Sequence, residues 1–369
     1  MSKSSQRIFP IRGVIKNYPW GSRTTLAVHR GEGESSEPEA ELWFGDNPHG
    51  AAQILGSDKT LDHITNSTTP LPFLAKILAV ENSLSLQVHP AIEDIPLLSA
   101  SRKDENHKPE MIIALTEFDA FVGFSSRESI ESLLAIIDSP KLDMLIARPI
   151  RAGASITSIL DGILGVADSS GILDEVCRGL GKLEPLRAHW LSRLIDLYAP
   201  KLDPLATLLC ELVRLTPGES IYLPPRCVHA YLHGTVVEVM ANSDNVIRGG
   251  LTHKPIDKQN FLTLIERARD QAERLTPSIA PGIRRWRAPI NDFSITEYHG
   301  EIDSALEIME RSIAFAWNGS AEISTSALTT VDDAIERVAI QHSDGAFLTP
   351  GRYHVLGNGS LWVATGKGR

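Results

Sequence analysis

The spacing of apolar residues divides the chain into regions of different character. From residue 8 to about 124, short apolar runs such as RGVIKNYPWG and EMIIALTEFDAFVGF are separated by Gly, Pro, Asn and Asp, which predicts short strands joined by turns. From 126 to 215 the apolar positions recur at helical spacing, as in ESIESLLAIID. Strand-like runs return from 216 to 251 and again from about 283. This pattern predicts a mainly β protein with a helical insertion.

The end of the helical region, DPLATLLCELVRL, predicts one further helix. Asp203 and Pro204 are suited to its cap and first turn. Five leucines then recur at helical spacing, namely Leu205, Leu208, Leu209, Leu212 and Leu215. We therefore expect a helix that buries these leucines on one face.

The segment SLSLQVHP, residues 83 to 90, alternates between apolar and polar side chains. As a strand it places its two leucines and Val88 on one face. Ser85, Gln87 and His89 then share the opposite face. Such a polar face lies either against solvent or against a cavity in which it binds a ligand.

Two segments of the chain follow the same order of residue types. TPGESIYLPPRCVHAYLHG and SDGAFLTPGRYHVLGNG each contain a glycine, a short apolar strand, a proline, a histidine, a second strand and a glycine. This order is typical of a cupin, a small double-sheet jelly roll. We therefore predict two cupin-like jelly-roll β domains plus an α-helical domain. The predicted boundaries are 1–124 with 216–258 for the first cupin domain, 125–215 for the helical domain and 259–369 for the C-terminal cupin-like domain.

Composition and charge restrict the possible partners and compartment. A net charge of -10 argues against nucleic acid or a membrane held by general electrostatics, so an anionic substrate needs a local basic site. The three cysteines, Cys177, Cys210 and Cys227, form no close pair and no metal-binding spacing, which fits a reducing compartment. No segment has the apolar length of a signal peptide or a membrane span. We expect a cytoplasmic protein.

Four residues form a candidate metal site: Gln87, His89, Glu110 and His229. Glu110 directly precedes an apolar run, and His229 stands five residues after Pro224, at the cupin position for a histidine. Two imidazoles, a carboxylate and an amide oxygen suit a borderline divalent ion, and zinc is the default because it needs no redox chemistry. Each residue alone is more often exposed or merely hydrogen-bonded, so the prediction depends on their coincidence.

Charged residues near these ligands extend the predicted site. Lys108 lies two residues before Glu110, and Lys254 lies six residues after Arg248. Arg248 stands between turn formers and a glycine pair, where a loop can bring its guanidinium against an anion. Glu238, in VVEVM, either points into the barrel or reaches water from an edge strand.

Longer motifs resemble a known family. AELWFGDNPHG, LPFLAKILAVENSLSLQVHP, NHKPEM and HAYLHGTVVEVMANSDNVIRGGLTHK closely resemble the motifs of type I phosphomannose isomerase, in order from KNYPWG to about residue 257. The resemblance implies a catalytic arginine at Arg248 and one Zn²⁺ per chain. It implies that Gln87, His89, Glu110 and His229 hold this zinc in the first cupin domain, and that the second cupin-like domain has lost its metal.

The family interconverts mannose 6-phosphate and fructose 6-phosphate, which supplies mannose donors for glycan synthesis or admits mannose to glycolysis. The partner that the resemblance implies is a small-molecule sugar phosphate, and we expect a monomer or a weak homodimer. The residues expected to contact the substrate are Ser85, Lys108, Lys254 and Glu238, of which Ser85 and the two lysines are expected to neutralise the phosphate. The base that moves the proton between C1 and C2 stays open among Glu238, Asp244 and His107.

Other functions use the same residues. An iron cupin oxygenase would take His89, His229 and Glu110 as a two-histidine, one-carboxylate site, although Gln87 and the nearby cations argue against it. A metal-dependent cupin acting on another sugar phosphate and a non-catalytic sugar-binding cupin are the remaining alternatives.

The sequence departs from the family pattern in two places. His253 replaces the usual proline of the family, and AIEDIPLLSASRKDEN, after QVHP, is a candidate mobile flap.

Overall fold

The structure is a computed structural model that describes residues 6–65, 70–98, 102–166, 171–325 and 335–367. Its strands are β1 (Ile8–Arg12), β2 (Val14–Lys16), β3 (Glu41–Phe44), β4 (Gln53–Ile54), β5 (Phe73–Val80), β6 (Leu86–Val88), β7 (Glu110–Ala114), β8 (Phe118–Phe124), β9 (Cys210–Leu215), β10 (Ser220–Leu223), β11 (His229–Ala241), β12 (Ile247–Gly250), β13 (Glu273–Leu275), β14 (Ser278–Ala280), β15 (Ile283–Arg287), β16 (Ser294–Ile308), β17 (Ser312–Thr325), β18 (Arg337–Gln341), β19 (Asp344–Leu348) and β20 (Gly351–Thr365). Its α-helices are α1 (Thr25–His29), α2 (Asp62–Thr65), α3 (Arg127–Ile137), α4 (Pro140–Leu142), α5 (Arg148–Arg151), α6 (Ile156–Gly165), α7 (Ile172–Gly179), α8 (Pro185–Tyr198), α9 (Asp203–Ala206) and α10 (Lys258–Glu266). Short 3-10 segments span Ile92–Leu98, Leu180–Lys182 and Thr207–Leu209, and a π-helical segment spans Asp143–Ala147.

The first sheet system is built around β11, the long strand that begins with His229. Seven strands follow the order β13-β10-β7-β11-β5-β3-β2, and β6, β8, β9 and β12 complete the system. The first residues of β11 pair with β6 and β8, whereas its last eight residues pair with β5 and β7. The strand bends at a bulge between Tyr231 and His233 and at Gly234, whose φ of 115° favours glycine. One strand therefore serves both sheets of a jelly roll.

The second sheet has nine strands in the order β14-β15-β16-β20-β17-β19-β1-β4, with β18 paired to β17. Strand β1, from the start of the chain, pairs with β19 near its end, so Ile8 lies opposite Leu348. In the other direction, β13 pairs with β10 of the first sheet system. The domain boundaries remain a prediction. Strand β1 lies in the predicted first cupin domain but pairs with the second sheet, and β13 lies in the predicted C-terminal domain but pairs with the first sheet system.

The helical insertion lies between β8 and β9 and has its own apolar core. Helix α3 begins at Ser126, whose side chain accepts a hydrogen bond from the Ser129 amide, and α8 begins at Glu184 with Pro185 in its first turn. Helix α10, from beyond the first sheet system, packs into the same core through Phe261. The prediction of a mainly β fold with a helical insertion is confirmed.

The predicted helix over DPLATLLCELVRL is wrong for most of its length. Helix α9 ends at Ala206, one 3-10 turn follows, and Cys210–Leu215 forms β9. Glu211 and Arg214 are exposed while Val213 and Leu215 are buried. This segment pairs with β8 instead, because an edge of β8 offers it backbone hydrogen bonds. The spacing of the leucines alone does not reveal this edge.

Strand β6 separates the helical core from the interior of the jelly roll. Leu86 and Val88 are fully buried in the helical core, as the alternation predicts, so Gln87 faces the other way. Leu84 differs from the prediction, because it precedes the strand and packs beside a cluster inside the jelly roll. After His89 the chain forms the 3-10 segment Ile92–Leu98, and residues 99–101 of the predicted flap lie outside the described residues.

Close backbone packing places β12 beside helix α10. A Cβ atom at Gly249 would lie 2.2 Å from the Phe261 ring, so the glycine lets the helix sit directly on the strand that carries Arg248.

Among the described residues, no helix has the length and apolar character that crossing a membrane requires.

Candidate metal centre

The four predicted metal ligands meet in the interior of the first sheet system. His229, the first residue of β11, lies directly opposite Gln87 of β6, and directly opposed residues of antiparallel strands project to the same face. Glu110 opens β7, which pairs with the far end of β11. His89, Glu110 and His229 are each at most 2% exposed. Their potential ligand atoms all lie within 4.8 Å of one another.

The donor separations match those of ligands around one small cation. The Nε2 atom of His89 lies 3.2 Å from Glu110 Oε1, and the Nε2 atom of His229 lies 3.4 Å from Glu110 Oε2. Two ligands at zinc bond lengths on a tetrahedron stand about 3.4 Å apart. The two histidine–carboxylate separations are therefore close to those of ligands that share one ion.

The protonation states also call for a cation. The Nδ1 atoms of His89 and His229 lie 2.7 Å and 3.0 Å from the carbonyl oxygens of Asn245 and Cys227, so both Nδ1 atoms donate. Burial lowers the pKa of both histidines, that of His89 to about 4, so their Nε2 atoms present lone pairs. The two Nε2 lone pairs thus lie beside the Glu110 carboxylate, and three such groups suit the ligands of one metal ion.

Gln87 supplies the fourth predicted ligand. Its Nε2 lies 3.2 Å from His229 Nε2, while its Oε1 accepts a hydrogen bond of 3.2 Å from Ser85 Oγ. A half-turn about the last side-chain bond exchanges the amide oxygen and nitrogen, so the oxygen can face the ion. Ser85, predicted to contact the substrate, thus lies beside the metal ligands.

Lys108 lies against the same ligands. Its Nζ is 3.0 Å from Glu110 Oε1 and 3.5 Å from His89 Nε2, and the side chain is almost fully buried. Burial by itself would raise the pKa of Glu110, whereas positive charge on His89 or Lys108 lowers it well below its ordinary value, and with His89 neutral the Lys108 ammonium keeps the carboxylate ionised. Lys108, a predicted substrate contact, thus lies against two of the candidate metal ligands.

Glu238 points into the barrel rather than to solvent. It lies directly opposite Lys76 of β5, with Nζ to Oε2 at 3.1 Å, and its Oε1 accepts a hydrogen bond of 3.2 Å from Tyr231. The Tyr231 hydroxyl also lies 3.5 Å from Glu110 Oε2, which connects Glu238 to the metal ligands. Burial raises the pKa of Glu238 to about 7, although the charge of Lys76 opposes this.

Lys76 is a functional candidate that the sequence analysis missed. It is 5% exposed within the otherwise apolar strand FLAKILAV and lies between Glu238 and Glu41, whose Oε2 is 3.4 Å from its Nζ. Burial disfavours its charge, but the two carboxylates outweigh burial and raise its pKa. A lone lysine in an eight-residue apolar strand is the signal that could have identified it, because an unpaired buried ammonium is too costly to persist.

Replacing Lys76 with methionine is expected to lower stability strongly. The change leaves Glu41 and Glu238 buried without their shared counter-charge, a loss of about 3–5 kcal/mol. Thermal unfolding of the purified variant measures this, with the exposed Lys59→Met as the matched control. A melting temperature for Lys76→Met equal to that of Lys59→Met would contradict the assigned pairing.

Arg248 faces the site from β12. It lies directly opposite Gln87 in the β12–β6 pair, so the two side chains project to the same face. Lys254 lies over the Tyr18 ring, 5.8 Å from its centroid. Burial lowers the pKa of Lys254, and the positive charges of Arg248 and Lys103 lower it further. These three cations form a positive rim beside the metal ligands, within a chain that is negative overall.

The three candidate bases occupy different surroundings. His107 Nε2 lies 2.9 Å from Asp292 Oδ1, outside the group of candidate metal ligands. Asp244 is paired with Lys103, near the rim. Glu238 is the candidate that lies inside the barrel. The structure therefore separates three residues that the sequence could not rank.

Within the described part of the chain, the histidine of the second cupin-like segment, His354, belongs to no group of three or more residues that could share a metal ion. His354 Nε2 lies 2.8 Å from Asp303 Oδ1 at a partly exposed position. Among the described residues, the group of His, Cys, Asp and Glu close enough to share an ion is His89, Glu110 and His229. One metal per chain is what this distribution supports.

A two-sheet β-barrel with two neutral imidazoles, a carboxylate and a positive rim defines a metal-dependent cupin. Residues 8–127 match the catalytic domain of phosphomannose isomerase type I. Mannose-6-phosphate isomerase of Escherichia coli strain K12 is 31% identical over 360 residues, covering 84% of this chain and 90% of that protein. The Bos taurus mannose-6-phosphate isomerase is 31% identical over 349 residues, covering 79% of this chain and 82% of that protein.

Solved structures agree with these sequence matches. A crystal structure of zinc-bound mannose 6-phosphate isomerase superposes with a TM-score of 0.84 at 25% identity, covering 98% of this chain and 100% of that one. An alanine mutant of the Salmonella typhimurium phosphomannose isomerase gives the same TM-score, identity and coverage. The chain belongs to the type I phosphomannose isomerase family.

Proposed function

We propose that this chain interconverts mannose 6-phosphate and fructose 6-phosphate with one zinc ion. The observation that carries the proposal is the convergence of His89, His229 and Glu110, with both Nδ1 atoms donating to backbone carbonyls, in a chain of this family. Gln87, His89, Glu110 and His229 would hold the ion. When bound, zinc supplies Lewis-acid polarisation of the sugar oxygens.

Arg248 is assigned as the residue that stabilises the enediolate. Isomerisation moves a proton between C1 and C2, and negative charge develops on the oxygens that those carbons carry. A guanidinium held on the same face as Gln87 places fixed positive charge where that oxyanion forms, which lowers the barrier without reorganisation during the reaction.

Glu238 is assigned as the base that moves the proton. It lies inside the barrel, and a carboxyl group with a pKa of about 7 exchanges protons near neutral pH. Tyr231 donates to one of its oxygens and Lys76 to the other, which fixes the orientation of the carboxyl group. Burial raises the pKa of Tyr231, so its hydroxyl stays a donor.

The remaining predicted contacts divide between the two ends of the substrate. Ser85 and Lys108 lie at the metal ligands and are assigned to the sugar hydroxyls. Lys254 is assigned to the phosphate, because its ammonium group lies on the positive rim and a cation there attracts a dianion. A monomer or weak homodimer is also proposed, and a cytoplasmic location is proposed from the cysteine usage and composition.

A substrate panel tests the reaction. We expect the zinc-loaded protein to form fructose 6-phosphate from mannose 6-phosphate, to act more slowly on glucose 6-phosphate and to lose most kcat/KM on unphosphorylated mannose. Coupled detection of fructose 6-phosphate measures the first two, and direct sugar analysis measures the third. Preference for another sugar phosphate, or oxygen uptake by the Fe²⁺-loaded protein, would overturn the proposed substrate or reaction.

A further inference from the structure

The turn that precedes His229 has an unusual residue at its third position. Pro224–Cys227 closes with a hydrogen bond of 3.2 Å from the Cys227 amide to the Pro224 carbonyl. Arg226 occupies the third position with a φ of 69°, a left-handed conformation that favours glycine or asparagine. Since the backbone of an arginine disfavours this conformation, contacts of its side chain must hold it there.

This turn contacts both histidine ligands through its backbone. The Arg226 amide donates a hydrogen bond of 2.7 Å to the carbonyl oxygen of His89. The carbonyl oxygen of the next residue, Cys227, accepts from His229 Nδ1 at 3.0 Å. The position of the turn therefore sets the separation of the two ligand-bearing segments and the orientation of one imidazole.

The Arg226 side chain is held by a completely buried carboxylate. Asp94, 0% exposed, accepts from Arg226 Nε at 2.7 Å and from its terminal nitrogen at 2.9 Å, a bidentate pair. Asp94 also accepts from the Ala91 amide at 2.9 Å, two residues after His89, and from Arg267 Nε just beyond α10 at 2.8 Å. Glu93 adds a more exposed contact to Arg226 at 2.8 Å.

We propose that Asp94 and Arg226 are positioning residues of the metal centre. Their ion pair holds the turn Pro224–Cys227 against the segment that follows His89, and so fixes the two imidazoles at the spacing that a metal ion requires. Neither side chain touches the metal ligands' donor atoms, so the pair sets metal affinity and not the chemical step. This inference rests on the proposed zinc site.

Two variants separate the side chain from the backbone. Asp94→Asn removes the charge that holds Arg226. Arg226→Gly removes the guanidinium but keeps the amide that donates to His89, and glycine accepts the left-handed conformation without strain. Partners that orient metal ligands typically contribute 10- to 100-fold in affinity, so we expect each variant to bind Zn²⁺ about 10- to 100-fold more weakly. The double variant should bind it no more weakly than either single one.

The measurement is zinc affinity by competition with a chelating dye, together with the melting temperature and kcat at saturating zinc. Asp119→Asn is the matched control, because Asp119 is also buried and accepts from Arg214 at 2.7 and 2.8 Å and from Trp190 at 2.9 Å, away from the ligands. The control should lower the melting temperature and leave zinc affinity unchanged. At saturating zinc, Asp94→Asn and Arg226→Gly should keep the wild-type kcat.

Wild-type zinc affinity in both Asp94→Asn and Arg226→Gly would overturn the inference, as would an equal loss of affinity in Asp119→Asn. If Asp94→Asn fails to fold, Arg226→Gly alone decides, because it leaves no strained backbone. Failure of the proposed function is distinguishable, because the unmodified protein would then bind no zinc or, with zinc bound, would form no fructose 6-phosphate.

Discussion

Replacing His229 with alanine is expected to abolish zinc binding and isomerase activity together. The ring supplies one of two neutral nitrogen ligands, and its removal also leaves Glu110 without one of the groups that face it at the metal centre. Loss of a metal that stabilises developing charge by several kcal/mol lowers turnover by about 10²–10³-fold or more. Metal content by mass spectrometry, measured on the same sample as kcat, checks both consequences.

His354→Ala is the control for this prediction. It removes a histidine that also faces a carboxylate, Asp303, but does so in the C-terminal sheet and on the surface. We expect its zinc content and kcat to match those of the unmodified protein. A His229→Ala variant that retains one zinc per chain would show that the ligand assignment is incorrect.

Replacing Arg248 with alanine is expected to retain zinc and lower kcat. The side chain lies on the face of Gln87 and is assigned to the enediolate, so its removal takes charge from the transition state and leaves the metal ligands in place. Loss of one group that stabilises an oxyanion typically costs about 10²–10³-fold in kcat. Steady-state kinetics on the zinc-loaded variant measures this directly.

Arg352→Ala is suited as the matched control, because Arg352 is 76% exposed on the second sheet and pairs weakly with Glu307. Its kinetics should equal those of the unmodified protein. If Arg248→Ala keeps the normal kcat and raises KM alone, the residue binds substrate and transition state equally, and the catalytic assignment fails.

The convergence of the candidate metal ligands could be predicted from the sequence because local patterns determine it. Alternation within SLSLQVHP places Gln87 and His89 on one face, and the cupin spacing locates His229. The structure adds a reason for the alternation. Leu86 and Val88 fill the core of the helical insertion, so Gln87 between them can face only the barrel interior. Strand β6 thus contributes side chains to the helical core on one face and to the barrel interior on the other.

The features that sequence reasoning missed depend on contacts between distant parts of the chain. The leucines of DPLATLLCELVRL fit a helix, but ELVRL also alternates, and the available edge of β8 decides in favour of a strand. Likewise, the pairing of Ile8–Arg12 with β19 joins segments more than 300 residues apart, for which no local pattern exists. Such pairings are tertiary effects that override local propensity.

Lys76 and Arg226 illustrate a different difficulty. Each contradicts a local rule, one as a charge in an apolar strand and the other as an arginine in a left-handed turn. In both cases the compensating carboxylate comes from elsewhere in the chain, Glu238 for the first and Asp94 for the second. Residues that break a local rule are therefore useful markers of functional sites once their partners are known.

The central claim is that a zinc ion bound in this barrel supports the isomerisation of mannose 6-phosphate. The most direct measurement is a coupled assay of fructose 6-phosphate formation on the purified protein, before chelator treatment, after it, and after Zn²⁺ is added back. We predict activity that is lost on chelation and restored by zinc. Full activity in protein shown to be free of metal, or no activity with zinc bound, would contradict the account.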